Sequence, residues 1–262
     1  MQKIRVRYAK RGRLAFTSHR DFARALERAM RRAAVPIAYS SGFSPHPKIS
    51  YASAAPTGVA SEAEYFEVGL QSPVDPEWLR TALDAALPPG LDIVTAVEAQ
   101  TSDFADRVNA SHWLIRLPQV SDSAADAAVA AFLAADEVPV DRMTKSGRRT
   151  MDARSPVIRM TVTHGDGAPT DRTGEVGNTT PTPAAGGVDG PCAILDLVVR
   201  HVTPSVRPDD VLAGLRVVAE LAPPVPPKVT RLAQGTLTGH GEITDPLVVV
   251  GADRAVSGTP ST

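Results

Sequence analysis

From Lys3 to Tyr8 the chain reads Lys-Ile-Arg-Val-Arg-Tyr, apolar and polar residues in strict alternation. That period of two predicts a strand with one basic face. Arg11-Gly12-Arg13 reads as a turn, and Leu14-Ala15-Phe16 as a continuation of the extended run. The period then changes. Ser18 stands where a helix cap belongs, and Phe22, Leu26, Ala29, Met30 and Ala33 follow at spacings of three and four, predicting a helix to about Ala34 that Pro36 ends. A short strand is expected at Ile37–Tyr39, another at Tyr65–Leu70, and a helix that starts at Asp75-Pro76-Glu77 and buries Trp78, Leu79, Ala82, Leu83 and Leu87. Pro88-Pro89-Gly90 stops that helix, and Ile93–Val97 closes a β-α-β-β-α-β order.

The second half repeats the order with less contrast. His112–Leu117 predicts a strand and Ser121 to Ala135 a helix with Ala125, Val129, Phe132 and Leu133 inward. Val138–Met143 and Val157–Val162 read as extended, with Lys145-Ser146-Gly147-Arg148-Arg149 as a basic turn between them. Ala193–Val199 is a strong strand, Pro208-Asp209-Asp210 starts a helix with Val211, Leu212, Leu215 and Val218, and Lys228–Leu237 closes the set. The expected fold is therefore α+β, two ferredoxin-like (βαββαβ) units in tandem over residues 1–100 and 110–240. Residues 164–191 lack apolar periodicity and are rich in Gly, Pro and Thr, the composition of a disordered insert in the second unit, and 242–262 reads as a flexible tail.

Composition narrows the chemistry. Hydrophobic residues make up 43% of the 262, enough for sizeable cores. One cysteine, Cys192, excludes an intrachain disulfide and any cysteine-held zinc or iron–sulfur site; at a strand start it reads as a small core residue. The N-terminus lacks the apolar run of a signal peptide and no long apolar stretch follows, so a soluble, cytoplasmic chain without a membrane partner is expected. The net charge of −1 conceals a segregation: residues 1–50 hold 12 Lys/Arg against Asp21 and Glu27, while the other 212 residues hold 16 basic and 27 acidic groups. A polyanion would be drawn to the N-terminal unit, and RNA is the partner this charge favours.

Two groups of residues carry the candidate chemistry. Arg20, Arg24, Arg28 and Arg31 recur at helical spacing, so their guanidinium groups form a stripe suited to successive phosphates. The loop Ser40-Ser41-Gly42-Phe43-Ser44-Pro45-His46-Pro47-Lys48 confines His46 between two prolines, with Tyr39, Phe43, Lys48 and Tyr51 around it. Aromatic rings interleaved with cations offer bases a stacking surface and phosphates a charge. His19, His46 and Lys48 are the candidate catalytic groups if the chain is an enzyme, with the two imidazoles as acid and base. No His, Cys or carboxylate spacing suggests a metal, no P-loop or nucleophile elbow occurs, and no cofactor is expected.

The segments Gly12-Arg13-Leu14-Ala15-Phe16-Thr17-Ser18-His19-Arg20-Asp21, Tyr39 to Ser50, and Gly58-Val59-Ala60-Ser61-Glu62-Ala63-Glu64-Tyr65 together resemble the uncharacterised radical-SAM-linked domain family. Its members stand alone or follow a radical-SAM protein with a cobalamin-binding-type region. The resemblance is specific over residues 3–98 and weaker over 145–237, where Asp152, Arg154, Pro208-Asp209 and Arg231 echo the pattern. The chain has no CxxxCxxC triad, so the resemblance implies that radical chemistry belongs to a separate partner. Tandem ferredoxin-like units with a basic helix are also similar in architecture to metal-independent CRISPR-repeat-processing endoribonucleases. The expectation is a radical-SAM-associated accessory protein that binds tRNA or single-stranded RNA. The alternatives are an RNA-cleaving or RNA-modifying enzyme using His19 and His46, or an adaptor for a radical-SAM or ribonuclease protein.

Overall fold

The computed structural model describes residues 1–144, 147–164 and 190–248. The greater part of the segment expected to be a disordered insert, 165–189, and of the expected tail, 249–262, lies outside the described residues. The chain separates into two compact units, Met1–Ser111 with the segment from Arg231 onward, and His112–Thr230. Both combine helices with mostly antiparallel sheet. No described helix is long and apolar enough to cross a membrane.

In the first unit β1 (Gln2–Lys10) lies between β3 (Ala60–Leu70) and β4 (Leu91–Glu98), antiparallel to both. The short β2 (Ile49–Tyr51) pairs with the last part of β3, at Phe66 to Val68. The alternation in β1 works as expected on one face, where Ile4, Val6 and Tyr8 are buried with Phe66, Val68 and Leu70 of β3. Helix α1 (His19–Arg32) lays Phe22, Leu26, Ala29 and Met30 on that face, with Phe22 stacked on Tyr8 at 4.0 Å between ring centroids. Helix α2 (Pro76–Ala86) adds Leu79 and Leu83, and Asp75 caps it by accepting from Glu77 N–H.

The opposite face departs from expectation. Arg5 is buried rather than solvated, because the short helix α3 (Phe104–Arg107) brings Phe104 under its guanidinium at 4.8 Å and Glu67 accepts from its Nε at 3.1 Å. Burial alone would raise the Glu67 carboxyl, but hydrogen bonds from Lys3 and Arg5 hold it below the usual range. Gly12–Phe16 is a 3₁₀ helix, not extended chain, closed by Leu14 N–H to Arg11 O and Thr17 N–H to Leu14 O. Gly12 adopts φ +53°, which turns the chain out of β1. The strand expected at 37–39 is reduced to isolated bridges, Ile37 to Leu70 and Tyr39 to Pro47, and the paired segment is β2 instead.

The second unit holds β5 (Ala110–Pro118), β8 (Val157–Thr163) and β9 (Cys192–Arg200), with β9 between the other two. Helix α4 (Asp122–Ala134) buries Ala125, Ala128, Val129 and Phe132, and α5 (Pro208–Ala219) buries Val211 and Leu215. Gly214 permits their close packing: a Cβ there would stand 2.6 Å from Phe132. β6 (Pro139–Thr144) and β7 (Gly147–Asp152) pair as a separate two-stranded sheet; of the expected basic turn, Arg148 and Arg149 belong to β7, and Lys145 and Ser146 lie outside the described residues. Cys192 is exposed at the first position of β9 rather than buried. The last element of the second unit is the start of β10 (Lys228–Leu237), which passes into the first unit at Arg231. There it is followed by β11 (Ile243–Thr244), antiparallel to it, and by Leu247, which is buried with Tyr65 and Phe104.

Candidate nucleic-acid interface

The charge of the N-terminal segment is sorted by the fold into two populations. Lys3 and Arg5 are met by Glu67, Arg7 by Asp245 at 2.8 Å, and Arg11 by Asp92 at 2.8 Å and by Glu62. These acids all come from later in the chain, so much of the basic excess counted along residues 1–50 is neutralised inside the first unit. What remains outward is Arg13, Lys48 and, as the one continuous stripe among the described residues, helix α1. Arg20, Arg24, Arg28 and Arg31 are all exposed, and among the described residues the only ion pair on this stripe is Arg24 to Asp21, at 4.0 Å and freely solvated. An exposed pair at that distance neutralises little.

The helix presents these side chains because its other face is occupied by the core. Ser18 starts it, accepting from Asp21 N–H at 3.2 Å while its hydroxyl donates to the Asp21 carboxylate at 2.6 Å. His19, the first helical residue, is exposed and meets Tyr51 of β2 edge to face, with ring centroids 4.6 Å apart. Burial, and then the nearby Glu27, pushes the Tyr51 hydroxyl up to about 12, so it stays a neutral donor across the physiological range.

The Pro-His-Pro loop is a small hairpin stitched to the end of β3. Ala38 N–H donates to Gly69 O and Gly69 N–H to Lys48 O, both at 2.8 Å. Lys48 N–H donates to Ala38 O and Ser40 N–H to His46 O, again at 2.8 Å, and His46 N–H donates to Ser40 Oγ at 3.0 Å. The backbone of His46 is thereby fixed while its imidazole is exposed. The tip beyond is also exposed; Gly42 turns it at φ +121° and Phe43 projects entirely into solvent. Tyr39 and Lys48 are exposed at its base. No hydrogen bond or ring contact joins His19 to His46 among the described residues; the partner His19 finds is Tyr51.

Beneath this surface lies a buried polar cluster whose Ser61, Glu64 and Arg231 fall within the family resemblance but whose contacts no local pattern in the sequence shows. Glu64 accepts from Ser61 Oγ at 2.6 Å, Arg231 Nη1 at 2.8 Å and Ala55 N–H at 2.9 Å. Arg231 also donates to Ser53 O at 2.6 Å. Lys10, equally buried, reaches Pro56 O at 3.3 Å and Thr17 O at 3.5 Å. Burial lowers both the Lys10 ammonium and the Arg231 guanidinium from their ordinary values, and Glu64 opposes the fall in each. The cluster holds the 52–59 loop and, through Thr17, the start of α1. It is a positioning device, and its members lie 167 residues apart in the chain, beyond the reach of any local pattern.

In the second unit a histidine joins a smaller constellation. His112 Nε2 meets Asp196 at 2.6 Å, and Arg159 donates to the other oxygen of the same carboxylate at 2.9 Å. Only the pairing of β8 with β9, and the place of β5 beside β9, brings the three together. Among the described residues no three His, Cys, Asp or Glu side chains converge as a metal site would require.

Fold and site together define a mixed α/β protein of mostly antiparallel sheet with an outward, arginine-striped helix next to an exposed aromatic hairpin. The chain belongs to the family described as an uncharacterized protein conserved in bacteria, DUF2344, which matches residues 3–208 and so includes α1, the hairpin and the buried Glu64. That description names no activity and no partner. No curated protein matches the chain.

Proposed function

We propose that the protein binds RNA, tRNA or a single strand, through α1 and the Pro-His-Pro hairpin, as an accessory to a radical-SAM or RNA-processing partner. The observation that carries this reading is the outward stripe of Arg20, Arg24, Arg28 and Arg31, left with one weak ion pair while every cation of β1 from Lys3 to Arg7 is matched by an acid. Phosphates supply the missing counter-charge, and exposed Phe43, Tyr39 and His46 offer faces on which unpaired bases stack, beside Lys48. The association with a radical-SAM partner rests on the motif resemblance alone.

Each unit is further read as ferredoxin-like. In the first, β4, β1 and β3 lie in that order with β2 beside β3, all antiparallel, the arrangement a βαββαβ chain makes. In the second, the order β5, β9, β8 supports the same reading.

Fluorescence anisotropy with bulk tRNA and with a single-stranded RNA, from low to moderate salt, tests the binding. Neutralising three phosphates gives a slope of log affinity on log salt near −2, from about −0.7 per single-strand contact. No binding at micromolar protein in low salt overturns the proposal. Cleavage of the RNA in the same tubes, lost on H46A, would favour the enzymatic alternative instead.

A further inference from the structure

Arg28 and Arg32, one turn apart on α1, flank a groove of about 290 Å³ between that helix and the end of α2. Between the two cations its floor is small and apolar, Ala25 and the buried Ala29 on α1 facing Ala86, the buried Leu87 and the exposed Pro88 at the end of α2. The groove exists because α1 carries alanine at two successive turns on this side, while Pro88 and Gly90 hold the opposite wall in a tight turn closed by Leu91 N–H to Pro88 O at 3.0 Å. One mouth cation is aimed rather than free to wander. Arg32 Nη1 donates to Ala86 O at 3.0 Å, which fixes the guanidinium plane and leaves its other donors outward. Arg28 is exposed and pairs with no acid among the described residues. No carboxylate lines the groove, and the nearest acid on α2's last turn, Asp84, accepts from Ile93 N–H.

Two guanidinium groups over a small apolar floor fit an anion that carries a flat apolar body. The volume lies at the lower end of the range for small-ligand sites, room for one such unit and not for an extended strand. We propose that this groove is a nucleotide subsite: one phosphate is held by Arg28 and Arg32 in charge-assisted hydrogen bonds, and its base lies against Ala25, Ala29, Leu87 and Pro88. The proposal rests on the RNA-binding reading and locates one nucleotide of the bound strand. It also separates Arg28 from the rest of the stripe, as a cation that orients a nucleotide rather than one that only neutralises phosphate.

The test uses the full chain and two probes, adenosine 5′-monophosphate and a single-stranded RNA, with inorganic phosphate and polyglutamate as competitors. A25L fills the floor without changing charge, P88E places a carboxylate in an exposed wall, and R28E reverses one mouth cation. R216E, on the exposed face of α5, makes the same charge change elsewhere. The expected result is millimolar to high-micromolar mononucleotide binding that A25L, P88E and R28E each abolish. RNA affinity should fall about tenfold in P88E and R28E and about threefold to tenfold in A25L, with R216E close to wild type. RNA binding unchanged in A25L and P88E overturns the subsite while leaving the RNA reading intact. Failure of the wild-type chain to bind RNA at all overturns the RNA reading, and with it the subsite as a position on a bound strand. Polyglutamate competing as well as RNA, with the same loss in A25L, assigns the groove to an acidic protein and overturns the nucleotide. P88E keeps the test decisive should A25L unfold, because Pro88 is exposed and its carbonyl bond to Leu91 survives substitution.

Discussion

Helices α1 and α4 occupy the same place in their units, directly after the first strand, and are built alike up to a point. Each is capped by a serine, Ser18 or Ser121, whose Oγ accepts from the third helical N–H at 3.2 Å. Each buries four apolar residues at three-and-four spacing. Their outer faces differ completely. Helix α1 carries Arg20, Arg24, Arg28, Arg31 and Arg32, whereas α4 has no Lys or Arg and shows Asp122 and Asp126, with His164 Nε2 3.2 Å from Asp126. Cap and stripe suffice to fold α4, so they suffice for α1 as well. The arginines of α1 repel one another at positions four apart, each such pair costing about 0.2–0.5 kcal/mol. A charge pattern that folding does not require, and that folding resists slightly, is what the RNA-binding proposal sets out to explain.

The contrast breaks most visibly in the interior. If the first unit depends on its buried charges, E64L leaves Arg231 and Lys10 without their carboxylate and costs about 3–5 kcal/mol in urea unfolding. A loss below about 1 kcal/mol would mean that the cluster is incidental to the unit. In the second unit the comparable local anchor is Asp152, which accepts from Val138 N–H at 2.9 Å and from Arg154 and Ser155 N–H at 2.8 and 3.0 Å. Burial would raise its carboxyl, but these donors bring it down to about 2. A depressed carboxylate stabilises fully above its unfolded value of about 3.9 and loses that contribution as pH falls toward 2. D152A should therefore cost about 1.5–3 kcal/mol at neutral pH and flatten the acid limb of the unfolding profile between pH 4 and 2. An unchanged acid limb would remove this account.

Smaller effects sharpen the comparison of the two helices. S18A and S121A should each cost about 1 kcal/mol in thermal unfolding, because the caps are geometrically the same. A loss confined to one of them would show that the helices are not held alike. The triple variant R24A/R28A/R31A should change stability by no more than about 0.5 kcal/mol while flattening the salt dependence of RNA binding by about 2. If the triple variant unfolds, the arginines are structural and the argument from α4 fails.

Much of the fold was legible because it rests on local periods. The alternation of Ile4, Val6 and Tyr8 and the stripe from Phe22 to Met30 each specify one element and its buried face, and Asp75-Pro76 marks the start of α2; of the face expected to be buried there, Leu79 and Leu83 are inside while Trp78 is exposed. The same reading misjudged Leu14–Phe16, since three apolar residues in a row fit a 3₁₀ turn as well as a strand. It placed a strand at 37–39, one side of the hairpin base, where the paired segment is 49–51 on the other; neighbouring segments compete for the same edge of β3, and pairing energy decides between them. Of the site, the arginine stripe and the exposed loop were visible in the chain, and Tyr51 as the neighbour of His19 was not.

By itself the sequence determined which residues want burial and with what period, hence β1, α1, α2, α4 and α5, and it determined that the first fifty residues are basic. It could not say which of those cations would remain available. Whether a lysine or arginine faces water depends on which acid arrives beside it, and Glu67, Glu62, Asp92 and Asp245 arrive from 51 to 238 residues away. Coulomb attraction acts through space and not along the chain, so only the tertiary structure could neutralise β1 and leave the charge on α1.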